Sequence, residues 1–107
     1  MSKTKILTKI YELAFLIPER KEKEDAFKLY EKINSFLQEQ GSLLIDFYSP
    51  QLFSLAYKIK KEKSAYLAST TFQLKVEKIE KVKEEIKKLE KEGEILRFLL
   101  FVKKIKK

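Results

Sequence analysis

The order of apolar and polar positions along the chain reads first as helical. Ile6, Ile10, Leu13 and Ile17 recur at three- and four-residue steps with Leu7 and Ala14 beside them, so the spacing predicts an amphipathic helix over residues 3–17. Pro18 ends it, because the residue before a proline is pushed out of helical geometry. The charged run 19–25 leads into a second period, Ala26, Leu29, Tyr30, Ile33, Phe36 and Leu37, which predicts a helix over 22–40 closed by Gly41, a residue suited to a left-handed C-cap. Residues 42–48 are apolar but too short to show a period, and stay open between a helical turn and a buried connector. Ser49 and Pro50 then pair a capping hydroxyl with a proline at the first helical position. Leu52, Leu55, Ala56 and Ile59 mark the inner face of a third helix, over 50–67.

Thr70 and Gln73 fit the capping box that opens a fourth helix. Its apolar positions Phe72, Ile79, Val82, Ile86 and Leu89 follow a heptad seam with Lys75 as the misfit, and Gly93 ends it. A strand at 72–76 is the rival, since Phe72, Leu74 and Val76 alternate with polar residues. In the tail, Ile95, Phe98, Leu99, Val102 and Ile105 keep helical spacing, yet the segment is apolar nearly all round and needs burial on most sides. The expected fold is therefore all-α, a compact bundle of four to five helices forming a single helical domain over 1–107, with a coiled-coil-like helix at 70–92. Its expected core is Ile10, Leu13, Ile17, Leu29, Ile33, Phe36, Leu52, Leu55, Ile59, Ile79, Val82, Ile86, Leu89 and Leu99.

Composition narrows the chemistry more than the fold. With 107 residues there is room for one ordinary core, and 44% apolar residues with two Gly and two Pro exclude a disordered chain. Cys and His are both absent, which removes disulfides, thiolate nucleophiles, the usual zinc ligands and the side chain that titrates nearest neutrality. No Gly-rich phosphate loop or nucleophile elbow appears, and the carboxylates alternate with lysines as solvated helix faces, such as Glu77 with Lys81 and Glu84 with Lys88. The chain is expected to be non-catalytic, with no metal, no cofactor and no small-molecule substrate. Its charged residues are nearly all Lys and Glu, with Asp only at 25 and 46, Arg only at 20 and 97, and one Asn at 34, a usage that resembles hyperthermophile proteins. Lys3, Lys5 and Lys9 precede an apolar stretch as in a signal peptide, but Lys9 and Glu12 interrupt it and no small-residue cleavage site follows, so a cytoplasmic protein is expected. The unbroken apolar run Phe98–Val102, which no other run exceeds, is far short of the roughly 20 residues a membrane span needs.

The net charge of +8 is uneven. Residues 19–41 carry five basic and six acidic groups and residues 70–93 seven and six, so the excess lies elsewhere. It sits in Lys3, Lys5 and Lys9, in Lys58, Lys60, Lys61 and Lys63 flanked by Tyr57 and Tyr66, and in Arg97 with Lys103, Lys104, Lys106 and Lys107. Lysines beside an aromatic face can follow phosphates and stack on bases, so Tyr57, Lys58, Lys60, Lys61, Lys63, Arg97, Lys103, Lys104 and Lys107 form the candidate nucleic-acid surface, without base-specific readout. On a helix, the four central lysines would form two short rows straddling one ridge, widened by a returning tail. The second reading is a structural or adaptor subunit that docks onto protein, or onto a second copy, through Ile79, Val82, Ile86, Leu89, Phe98 and Phe101. A heptad register with Phe72, Ile79, Ile86, Gly93 and Leu100 at a and Val82, Leu89 and Leu96 at d would match an antiparallel partner of the same sequence. A membrane surface fits less well, because the tail's apolar girth suits burial.

Two short stretches resemble known families. FSLAYKI at 53–59, a charged helix and ILRFLLFVKKI at 95–105 are similar to segments of the small helical subunits of CRISPR effector complexes, which implies a helical fold. IDFY at 45–48 before a helix is similar to a feature of the GINS replication subunits. Each covers under half of the chain, and neither assigns a role to any residue.

Overall fold

A computed structural model describes residues 7–19 and 21–103. The described chain runs β1 (Thr8–Pro18), α1 (Lys23–Glu39), β2 (Leu43–Ile59), β3 (Glu62–Lys75), α2 (Ile79–Lys91, entered through a short 3₁₀ turn) and β4 (Arg97–Val102). The four strands make one sheet in the order β2-β3-β1-β4. All three pairings are antiparallel. Successive strand residues point to opposite faces, and direct cross-strand partners share one. Tyr11, Leu13, Phe15 and Ile17 of β1 and Ala68, Phe72 and Leu74 of β3 are buried on the side that meets the helices. There α1 contributes Ala26, Leu29, Tyr30, Ile33 and Leu37, and α2 contributes Val82, Ile86 and Leu89. Tyr11 stacks on its cross-strand partner Phe72 at 5.7 Å between ring centroids, and Phe15 meets Tyr30 at 6.2 Å.

The all-α expectation is overturned, because four of the predicted helical segments are wholly or partly strand. Within 3–17, the described residues belong to β1; positions 3–6 lie outside the described residues. The period was ambiguous there: Ile10, Ala14 and Leu16 on the opposite face are apolar too, so steps of two, three and four all find apolar residues. Residues 42–48 and 50–67 form the β2–β3 hairpin in place of a connector and a helix. Pro50 is an edge-strand proline inside the irregularity between Tyr48 and Gln51, where no ladder donor is needed. The Thr70 and Gln73 pair caps nothing. Thr70, fully buried in β3, donates its hydroxyl to Asn34 Oδ1 at 2.6 Å, and the Tyr30 hydroxyl donates to the Ser69 carbonyl at 3.2 Å, so both tie α1 to β3. The fourth helix starts at Ile79, after a strand reaching Lys75 where 72–76 was the rival reading, and the tail is strand β4. Helix α1 is where its period put it, and Gly41 ends it with φ +96°, the Ser42 amide donating to the Leu37 carbonyl.

Two expected core residues face solvent, Leu52 at 55% and Leu99 at 68% exposure. Ile10, Phe36, Leu55, Ile59 and Ile79 are half-buried, and the others are buried.

Candidate nucleic-acid interface

The strands differ in length, and that difference makes the site. The last β1 pair is Pro18 with Ala65, whereas β2 and β3 pair on to Ser54 with Ser64 and, past an irregularity, again at Ile59 with Glu62. Past Phe53 and Ala65 the hairpin leaves the sheet as a two-stranded ribbon, which helps to give the molecule extents of 56 × 32 × 22 Å. Phe53, Leu55, Tyr57 and Ile59 supply the strand-prone aromatic and branched residues that keep the ribbon extended. Lys60 and Lys61 close it, with φ +49° and +72°. Lys58, Lys60, Lys61 and Lys63 are all exposed, and Tyr57 is 84% exposed beside them. Four ammonium groups thus surround a ribbon tip, not the helical ridge expected for them, and Tyr66 is half-buried back toward α1.

The other predicted basic residues do not join them. Arg97 opens β4 opposite Leu16, with two strands between it and β2, and Lys103 lies at the far end of the sheet, its amide bonded to the Ile10 carbonyl. From Ile10 to Pro18 β1 covers roughly 26 Å at strand rise, so Lys103 cannot widen a patch at the hairpin tip. Its ammonium is 3.6 Å from Glu12 Oε1. Lys104 and Lys107 lie outside the described residues.

The expected protein-docking seam is also redistributed. Val82, Ile86 and Leu89 are buried against the protein's own sheet and Ile79 is half-buried beside them, so this stripe has no apolar face left for a coiled-coil partner. Phe98 packs on the core as well. Phe101 belongs to the face of the sheet away from the helices, a surface the sequence did not reveal. Cross-strand rows there read Tyr48, Ser69, Ala14 and Leu99; then Asp46, Thr71, Glu12 and Phe101; then Gln51, Leu67, Leu16 and Arg97. Tyr48, Phe53, Leu99 and Phe101 are each more than 40% exposed on this face. A shallow groove of about 360 Å³ crosses it, lined by Ala14, Leu16, Leu67 and Leu99 with Arg97 at the rim. Among the described residues no cluster of carboxylates could hold a metal ion. The described residues therefore offer two candidate surfaces: a charged tip and an uncovered sheet face with exposed apolar side chains on its outer strands.

Comparison with known proteins follows the fold. A family model described as ribosomal protein S6 matches residues 10–102. No curated protein sequence matches significantly. Among solved structures, the chain resembles the 30S ribosomal protein S6 of Thermotoga maritima with a TM-score of 0.81 at 19% identity, covering 91% of this chain and 89% of that one. It also resembles a protein of unknown function from Galdieria sulphuraria, with a TM-score of 0.65 at 12% identity, covering 97% of this chain and 55% of that one. The family match spans every described element and replaces both short resemblances seen in the sequence.

Proposed function

The chain belongs to the ribosomal protein S6 family, structural components of the ribosome and not enzymes, and from that premise we propose that it binds ribosomal RNA through the tip of the β2–β3 hairpin. The observation that carries this reading is the isolation of four exposed lysines and Tyr57 on a ribbon that projects beyond the sheet. A projecting charged ribbon reaches a polyanion without bringing the rest of the protein against it. Lysines act there as point charges on phosphates, and Tyr57 adds one ring that can lie against a base or a ribose.

The apolar sheet face takes the second partner in this reading, a neighbouring protein of the same particle. Its exposed Tyr48 and Phe53 on β2 and Leu99 and Phe101 on β4 place large apolar side chains at both edges of an uncovered sheet face, the kind of exposure that marks a protein contact. A homo-oligomer built on the α2 seam is not part of the proposal, since that seam is buried in the fold. No described helix is long and apolar enough to cross a membrane.

The test is salt-dependent binding to small-subunit ribosomal RNA by the wild type and by a variant with Lys58, Lys60, Lys61 and Lys63 all changed to Gln. Each lost phosphate contact should flatten the slope of log K against log salt by about 0.9, as for a duplex. Equal affinity of the two proteins would remove the hairpin from the RNA contact.

A further inference from the structure

The turn at the hairpin tip is built from residues the geometry disfavours. A two-residue hairpin turn with positive φ at both central positions follows the right-handed twist of the strands and selects Asn-Gly, Asp-Gly or Gly-Gly, because a side chain in left-handed geometry crowds its own backbone. Here both positions are lysine, at φ +49° and +72°. They are the only non-glycine residues with positive φ among those described. Neither lysine can relieve the strain as Asn does, through a short side chain that bonds the local backbone. The turn also concentrates like charge: Lys58 and Lys63 each stand one residue outside the closing pair Ile59 and Glu62. Repulsion among the lysines and backbone strain both act against this sequence, with Glu62 as the one carboxylate between Tyr57 and Lys63. Left-handed strain at an exposed, charged turn points to a role in binding.

We infer that the Lys60–Lys61 turn is a phosphate clamp for double-helical RNA, held in a strained form because the two left-handed residues project their ammonium groups past the end of the ribbon. The inference rests on the proposed RNA-binding role of the hairpin and adds the class of RNA and the residues that make the leading contact. The tip offers lysines and one exposed aromatic ring, with no Arg, Asn or Gln between Tyr57 and Lys63. Single-stranded RNA is held by successive bases stacked on several aromatic side chains, and base reading draws mainly on Arg, Asn and Gln, with Lys reading guanine alone. A point-charge tip matches neither. It matches the regularly spaced phosphates of a helix, which are recognised by shape.

The experiment measures thermal unfolding and RNA binding together. The RNA probes are a duplex of 16 base pairs and a single strand of 16 nucleotides, each titrated from about 50 to 500 mM salt. Changing Lys60→Asn with Lys61→Gly supplies the turn sequence the backbone prefers and removes both charges. Its Tm should rise by roughly 5 °C. Its salt slope on the duplex should fall by about 1.8, so that its deficit against wild type shrinks roughly sixtyfold over that salt range. Lys60→Gln with Lys61→Gln keeps the strain and removes the charge; it should lose the same binding without the gain in Tm. Duplex binding by Lys60→Asn, Lys61→Gly that equals wild type overturns the clamp, as does a wild-type preference for the single strand. If binding falls only when Lys58 and Lys63 are changed to Gln, the clamp is wrong and the hairpin reading survives. Failure of the wild type to bind either RNA at about 50 mM salt removes both.

Discussion

Leu13, Ile86 and Leu99 should respond to truncation in a way that only the sheet explains. A helical reading places all three in the core, whereas the structure buries Leu13 and Ile86 completely and leaves Leu99 at 68% exposure. Leu13→Ala or Ile86→Ala removes apolar atoms from a packed site and leaves a cavity, at a cost of ~2–5 kcal/mol. For a domain of this size that lowers Tm by roughly 10–25 °C. Full burial of a leucine is worth about 1.5–3 kcal/mol, and Leu99 has only about a third of its surface covered, so Leu99→Ala should cost under about 1 kcal/mol. Leu52, at 55% exposure, should resemble Leu99. The assay is urea unfolding of the four alanine variants, followed by far-ultraviolet circular dichroism, with unchanged m-values confirming that the midpoints are comparable. A loss at Leu99 equal to that at Leu13 would mean that β4 does not turn Leu99 away from the helices, and the uncovered face would have to be abandoned.

The bond from Thr70 to Asn34 should couple α1 to β3: a double-mutant cycle with Thr70→Val and Asn34→Ala should return an interaction energy of ~0.5–1.5 kcal/mol, and strictly additive losses would deny the bond any net worth. Leu99→Lys with Phe101→Lys should leave Tm within a few degrees while abolishing retention of the protein on small-subunit particles in high salt, where apolar contacts persist; normal retention would take the sheet face out of the assembly. Burial raises the Tyr11 phenol above its ordinary value of 10.0, so the fold prefers the neutral ring: that contribution is intact below the unfolded value and is lost as pH rises through the folded one. Tyr11→Phe should therefore flatten the decline of stability above about pH 10, and an identical decline in both proteins would contradict this.

The features that hid the sheet from the sequence are largely those that form the two proposed binding surfaces. A half-buried strand announces itself by alternation, and β1 fails to alternate because Ile10, Ala14 and Leu16 make its outer face apolar as well. The same holds for β4, where the outward Leu99 and Phe101 alternate with the inward Phe98 and Leu100. A hairpin announces itself by Asn-Gly or a similar pair, and Lys60–Lys61 withholds that signal. Local consistency failed at the surfaces proposed for a partner. Helix α1 was legible because its outer face is charged and its stop is glycine. The α2 stripe was legible as well, but periodicity says only that a face is buried, never whether the cover is the same chain. The lysine cluster at 58–63 was visible as charge, and its place on a ribbon tip required the fold.

The position of β1 has a consequence for how the molecule comes into being. It is made before the other three strands of the sheet, yet it lies between β3 and β4, with Pro18 waiting for Ala65 and Tyr11 for Val102. While the chain grows, α1 can coil and β2 can zip onto β3, since both need only neighbouring residues. The N-terminal strand meanwhile has no ladder on either flank, and its Tyr11, Leu13, Phe15 and Ile17 have no layer to enter. Closure of such distant loops is the slow part of assembling an antiparallel sheet. A nascent chain halted before Arg97 therefore carries β1 with one edge permanently open, a template for strand addition by any other unfinished chain nearby. The six residues of β4 remove that hazard, and they are the last of the sheet to be made.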